Sequence, residues 1–328
     1  MLSKAKGYSR RELIGPGVAW TTAALSLGAS SALAQSVVPP SPGAPPDDAA
    51  RVATEDDAAT RMIIPVMIGG RGPFRFVVDT GADRSVIADD VAVQLGLIRG
   101  NDVTVQGVVR SYNSRFVAVA DLTFGSTQRR NLSMPVLPRV FMEADGYLGL
   151  DAVDGARVTL DFQNRSLQID HSHHLGYYIA RPQMVTIPVR GAMGHLRALN
   201  CRVEDVGTTC FLDTGAQISC GNGRLLRALL EHNPDTVVVG TLPITGITGG
   251  VIMAKVVRVN RIKLHGVTFT DAVIAIADMQ IFDVWGLSQE PAMLIGMNFL
   301  RQFARVSIDY AVKEIRFDLA SMVLARWG

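Results

Sequence analysis

The stretch FRFVVDTGADRSVI, residues 74–87, returns later in the chain as TCFLDTGAQIS, residues 209–219. Each copy runs apolar and β-branched residues into Asp-Thr-Gly-Ala, at Asp79, Thr80, Gly81, Ala82 and at Asp213, Thr214, Gly215, Ala216. A strand that breaks at a glycine-containing turn is the local structure such a run predicts. Ser85 and Ser219 follow their aspartates by six positions in both copies. One carboxylate on a loop has many uses. Two in matched contexts point to a site closed around a pair, because hydrolysis by general acid/base chemistry needs one carboxylate ionised and its neighbour protonated.

The repeat extends well beyond the loops and keeps its order, which marks a duplicated domain. Ile64, Pro65, Val66 recur as Ile187, Pro188, Val189, and the aspartates are 134 positions apart. A hairpin-like segment around Gly125 recurs around Gly266. An apolar-apolar-glycine element, Tyr147, Leu148, Gly149, recurs as Leu294, Ile295, Gly296. The runs VTLDF and VSIDY then align Asp161 with Asp309, 148 positions on. Spacing drifts slowly upward, as expected if the second copy gained short loop insertions. Segments such as RMIIPVMI, FVAVADLTF and VTFTDAVIAIA are short, β-branched and bounded by turn formers, and long helices between strands are missing, so the pattern predicts an all-β chain of two barrel-like lobes. Short helices are expected at residues 88–95 and 224–231, with further turns near Gly149 and residues 297–303. Equivalent loops can meet only around an approximate two-fold axis.

These residues resemble the aspartic proteases of the retropepsin and pepsin clan, whose signature is a strand delivering Asp-Thr/Ser-Gly into a turn. The resemblance covers roughly residues 61–319. It implies two tandem retropepsin-like lobes and an aspartic endopeptidase in which Asp79 and Asp213 share a proton and activate a water, with a peptide or protein as substrate and no cofactor or metal. It also implies that the hydroxyls of Thr80 and Thr214 lock the two loops together, while Gly81 and Gly215 leave room for the carboxylates and water. Ala82 and Ala216 stand where pepsin-like relatives usually carry a hydroxyl, so the pair should work at milder pH. Asp83 matches the position that grips substrate backbone, and Gln217 departs from it, so substrate contacts should be asymmetric. Flaps over the cleft are expected at Val105, Gln106, Gly107, Val108 and at residues 245–250, which include Gly246.

The chain has 328 residues, 48% of them hydrophobic, with a formal net charge of +2. That is ample for two cored lobes, and charges of both signs are mixed along it, so no basic stripe invites nucleic acid. Lys4, Lys6, Arg10 and Arg11 precede a moderately apolar run ending in Ala32, Leu33, Ala34, the pattern of a cleaved signal peptide over residues 1–34. The order Ser9, Arg10, Arg11, Glu12, Leu13, Ile14 resembles a twin-arginine export signal, which implies a periplasmic or secreted protein with no stable membrane insertion after cleavage. A Pro/Ala-rich flexible spacer is expected over residues 35–60, then lobes at 61–170 and 184–320 joined by a linker at 171–183. That linker carries His171, His173 and His174, read as a solvated connection rather than a metal site. Cys201, Cys210 and Cys220 lie close together; an oxidising compartment would permit one bridge, with Cys201 facing Cys210 across a hairpin, and the alternative is three small buried hydrophobes. The competing functional readings are a catalytically silent peptide-binding module and a protease whose lobes pair between chains rather than within a monomer. No G-x-S-x-G occurs, which disfavours a serine hydrolase of that type.

Overall fold

The computed structural model describes residues 50–56, 61–153, 155–171, 184–190, 197–198, 200–264 and 266–319. The expected signal peptide, most of the expected spacer, residues 172–183 of the linker and the end of the chain lie outside the described residues.

The first lobe is an eight-stranded sheet that begins at Glu55–Asp56 and Met62–Ile68, passes through Arg71–Val78, and ends on the long hairpins Ser111–Phe124 with Thr127–Leu137 and Arg99–Gln106. It curls on itself, because Met62–Ile68 pairs with both Arg71–Val78 and Ser111–Phe124. The strand leading to Asp79 shows why the sequence folds this way. Phe74, Phe76, Val77 and Val78 are buried while Arg75 faces out, so the strand is two-sided at first and covered on both faces as it reaches the centre. There it lies parallel to Gly146–Leu148. The second lobe repeats the arrangement, with Thr209–Leu212 parallel to Ala292–Ile295. Hence the late apolar-apolar-glycine element sits beside its own aspartate loop in both halves.

Six further strands form a platform shared by the lobes, in the order Ala50–Ala53, Ser166–His171, Ala156–Asp161, Phe303–Asp309, Glu314–Leu319 and Met184–Arg190. At its middle, Ala156–Asp161 runs antiparallel to Phe303–Asp309 with Thr159 opposite Ser307. The Thr159 and Ser307 hydroxyls are 2.9 Å apart. On either side of them Arg157 pairs with Asp309 at 2.8 Å and Arg305 with Asp161 at 2.7 Å. Each of these residues is 148 positions from its counterpart, so the axis of the duplication passes between Thr159 and Ser307.

Two expectations need correction. The spacer expected over residues 35–60 does not reach residue 60, since Ala50–Ala53 pairs along Ser166–His171 and Glu55–Asp56 along Met62–Ile68. Val52 and Thr54 are buried while Arg51 and Ala53 face out, and that alternation lets the segment cover a sheet edge. The boundary between lobes is also less sharp than a linker between two closed barrels, because VTLDF and VSIDY pair with each other across it. Helices form at Asp89–Gln94, Gly223–His232, Leu150–Val153 and Met297–Leu300, near where expected, and also at Arg139–Met142 and Gln280–Val284. Asn222 caps the longest of these, its side chain accepting from the Leu225 N–H at 2.9 Å.

All three cysteines are buried and none forms a disulfide, the Cys210 thiol lying in hydrogen-bond contact with that of Cys201. Ala198 pairs with Cys210, and the Thr208 N–H donates to the Cys201 carbonyl at 3.0 Å, so the expected hairpin forms, although the bridge across it does not. Among the described residues no helix is long and apolar enough to cross a membrane.

Candidate active site

The two aspartate loops meet within the one chain and hold each other. The Thr80 N–H donates to Thr214 Oγ1 at 3.0 Å, and the Thr214 N–H donates to Thr80 Oγ1 at 3.1 Å. Each hydroxyl then donates across the axis, Thr80 to the Leu212 carbonyl at 3.3 Å and Thr214 to the Val78 carbonyl at 2.7 Å. Both threonines are buried, so every one of these polar groups is satisfied where water does not compete.

Behind each loop a second set of bonds fixes the turn. Ser85 donates through its N–H and Oγ to Asp151 Oδ1, at 2.8 and 2.6 Å, and accepts from the Gly149 N–H at 3.1 Å. Ser219 donates in the same way to Asn298 Oδ1, at 2.9 and 2.8 Å, and accepts from the Gly296 N–H at 2.8 Å. Sequence reasoning missed Asp151 and Asn298. The signal was present, for each stands two positions after the repeated glycine in GLD and GMN.

The carboxylates are placed by the same frame. Gly81 N–H donates to Asp79 Oδ1 at 2.8 Å; Gly215 N–H and Ala216 N–H donate to Asp213 Oδ1 at 2.8 and 3.1 Å. Each glycine backbone also presses against the opposite aspartate. A Cβ on Gly215 would lie 2.6 Å from Asp79 Cγ, and one on Gly81 would lie 2.8 Å from Asp213 Cγ. Only glycine tolerates that approach. The Asp79 carboxyl is pushed well above its ordinary range, first by removal from bulk water and then by the neighbouring Asp213 carboxylate; the Gly81 N–H and the Arg61 guanidinium oppose this. Two carboxyls in such contact titrate as one coupled pair.

Above the pair lies a cleft of about 640 Å³ whose lining includes Asp79, Gly81, Ala82, Asp213, Gly215, Ala216 and Gln217. Asp83, one residue past Ala82, is exposed and stands outside that lining. Gln106, Gly107, Thr245 and Gly246 line the cleft from above. They belong to two hairpins, Arg99–Gln106 with Ser111–Phe124 and Val238–Thr245 with Val251–Leu264. The hairpin tips interlock across the cleft. Thr248 Oγ1 donates to the Arg110 carbonyl at 2.6 Å, and Arg110 Nε donates to the Thr248 carbonyl at 3.1 Å. Gly107 is packed so tightly against Thr248 that no Cβ fits there.

A larger but shallower depression of about 730 Å³ lies on the first lobe beside Asp89, Arg99 and Tyr112; neither Asp79 nor Asp213 reaches it. Cys220 lines the cleft, yet burial pushes its thiol up to about 12. It stays protonated near neutrality, which makes it a poor nucleophile.

The sequence model of one family, described as aspartyl protease, matches residues 64–152 and again residues 199–299. The two matches cover more than half of the chain and fall one on each lobe, each containing one Asp-Thr-Gly-Ala loop. No curated protein matches the chain significantly.

Proposed function

The chain belongs to the aspartyl protease family, with two tandem retropepsin-like lobes, and we propose that it is an endopeptidase whose Asp79 and Asp213 activate a water against a peptide bond. The observation that carries this reading is the contact between the loops: each carboxyl is held against the other loop's glycine and fed by backbone N–H groups. Asp213 accepts two such bonds, which favour its ionised form, while Asp79 has a raised affinity for its proton. Asp213 is therefore assigned as the base that draws a proton from the attacking water, and Asp79 as the acid that hydrogen-bonds the substrate carbonyl. The proton taken by Asp213 then serves the leaving amine. No group beyond two carboxylates and a water is needed. Gln217 and the hairpin tips at Gly107 and Gly246 are assigned to the substrate backbone, with exposed Asp83 gripping it at the cleft margin, and closure of the tips excludes water during turnover.

The test is direct. Asp79→Asn and Asp213→Asn should each lower peptide hydrolysis by roughly 10²–10⁴-fold, and a peptide bearing a hydroxyl at the attacked carbon should inhibit by taking the water's place. Full activity in the double variant would place the chemistry elsewhere, and peptide binding without any cleavage by the wild type would mark a binding module.

The protein is further assigned to the periplasm or the exterior, on the strength of Arg10, Arg11 and the Ala32, Leu33, Ala34 site, and to a monomeric state, because both aspartate loops come from the one chain. Replacing both arginines with lysine should leave it in the cytoplasm; unimpaired export would mean a different route.

A further inference from the structure

The two sides of the cleft do not offer a substrate the same surroundings. On the second-lobe side Ile218, Leu242, Ile244, Met279, Ile281 and Trp285 all line it. These residues belong to, or pack on, an apolar cluster separate from the main core, and Trp285 is backed by Phe211 with ring centroids 4.9 Å apart. Leu294 forms part of the same wall.

On the first-lobe side the position equivalent to Leu294 is Tyr147. The register fixes this equivalence: Tyr147 pairs with Val77 and Val86, and Leu294 pairs with Phe211 and Cys220, which lie 134 positions after Val77 and Val86 respectively. Tyr147 is 1% exposed. Its hydroxyl donates to the Met142 carbonyl at 3.2 Å and accepts from Arg61. Arg61 also lies over the ring, 5.5 Å from its centroid, with Glu143 3.6 Å away. Arg61 is the one lysine or arginine among the described residues lining the cleft, and the repeat places Met184 at its counterpart. The space that an apolar side chain would take is thus filled on this side by an arginine stacked on a tyrosine.

We propose that the cleft reads one large apolar side chain, seated in the second-lobe pocket, and takes a small or hydrogen-bonding residue on the first-lobe side of the scissile bond. The proposal rests on the endopeptidase reading and names its substrate class: peptides with a bulky apolar residue on one flank only. Arg61 and Tyr147 are already buried against each other and leave an apolar side chain neither space nor hydrocarbon to pack on, whereas the opposite wall gains from every methylene buried.

The experiment digests a randomised peptide mixture with the mature protein and reads both residues flanking each cut by mass spectrometry. One flank should be restricted to Leu, Phe, Met or Trp, by about 10–200-fold over Ala, and the other should not. Trp285→Ala should erase much of that restriction, as should Leu242→Ala at a half-buried flap position. Arg61→Met with Tyr147→Leu should admit large apolar residues on the second flank. Equal restriction of both flanks in the wild type overturns the proposal, and so does an unchanged profile in the Arg61/Tyr147 variant. Calorimetric binding of the same peptides to Asp79→Asn reads the pocket without chemistry. One-sided binding with no cleavage by the wild type would keep the pocket assignment and remove the endopeptidase reading.

Discussion

Thr80 and Thr214 exchange bonds of 3.0 and 3.1 Å, each N–H donating to the other's hydroxyl across the two-fold axis, whereas Tyr147 and Leu294, equally well matched in register, differ in size, polarity and partners. The difference lies in what each residue touches. Residues of one loop are bonded to their own counterparts in the other, so a change in either leaves a buried group without its partner. Residues of the two walls face the cleft and not each other, and nothing in the fold ties their identities together. Duplication therefore left a symmetric catalytic floor beneath an asymmetric channel.

The ion pairs of the shared platform extend the comparison to stability. Arg157 and Asp309 have side chains only 11% and 2% exposed, while Arg305, the counterpart of Arg157, is 36% exposed against an Asp161 that is 4% exposed. Asp161 also accepts from the Asn164 N–H at 2.9 Å and from its side-chain amide at 2.8 Å. These bonds and Arg305 hold its carboxyl below the usual range against the opposing effect of burial. Arg157→Ala should cost about 3–5 kcal/mol, since it removes the partner of an almost fully buried carboxylate, whose bonds from the Ala311 and Val312 N–H groups are long, 3.2 Å each. Arg305→Ala should cost about 1 kcal/mol or less, because Arg305 is screened by solvent and the two bonds that Asp161 keeps are shorter than those of Asp309. Chemical denaturation of both variants measures the gap, and equal losses would show that the axis pairs are energetically alike despite their burial.

Valine at either threonine of the interlocked loops comes next in size. Each replacement keeps the shape, removes one hydroxyl that both donates and accepts, and leaves an N–H and a carbonyl buried, at about 1–3 kcal/mol. The shorter bond of Thr214 to Val78, 2.7 Å against 3.3 Å for Thr80 to Leu212, predicts the larger loss for Thr214→Val. A greater loss for Thr80→Val in thermal unfolding would reverse that ranking.

The protonation of Asp79 gives a smaller effect with a definite sign. Its carboxyl is raised above the ordinary 3.8, so between that value and the raised one the folded chain binds more protons than the unfolded chain. Stability from this group is complete below pH 3.8 and is lost as pH rises through the raised value. Asp79 is only half-buried at the cleft floor, which moderates the size. Asp79→Asn cannot ionise, so its melting temperature relative to wild type should climb across this window. Asp161, whose carboxyl is depressed, acts in the other direction and at lower pH, so the two do not overlap. A constant difference between variant and wild type from pH 4 to 7 would remove the assignment of the shift to Asp79.

How far the sequence could be read follows from the same distinction. The aspartate loops were legible because their constraints are local and written twice: Asp, Thr and Gly at fixed spacing, with Ser six positions after each Asp. Pairing between VTLDF and VSIDY was not, since a buried strand has the same period whichever neighbour completes its ladder. Arg157 and Arg305 carried a hint, lying at the same 148-residue offset as Asp161 and Asp309. The strand at Ala50–Ala53 hid inside a Pro/Ala-rich stretch whose composition outweighed the alternation of Val52 and Thr54. Helices Arg139–Met142 and Gln280–Val284 are too short to show a period. The unlike walls of the cleft needed the register before Tyr147 and Leu294 could be set against each other.

The smallest expected effect concerns the support residues, Asp151 in one lobe and Asn298 in the other. Both accept two bonds from their serine through a single Oδ1. An amide oxygen can take that place as well as a carboxylate oxygen, and the Asn298 copy is the example within the same molecule. Asp151→Asn should therefore shift stability by less than about 1 kcal/mol, and peptide hydrolysis should stay within a few-fold of wild type. Asp151→Ala removes the acceptor, leaves the Ser85 N–H and hydroxyl buried without it, and should cost about 1–3 kcal/mol. Ser85 holds the Gly149 N–H, and Asp79 N–H donates to the neighbouring Leu148 carbonyl at 2.9 Å, so the alanine variant should also lose activity through displacement of the aspartate loop. Similar behaviour of the asparagine and alanine variants would mean that charge, not acceptor geometry, is what the first lobe requires at this position, and the two halves would then differ behind the floor as well as above it.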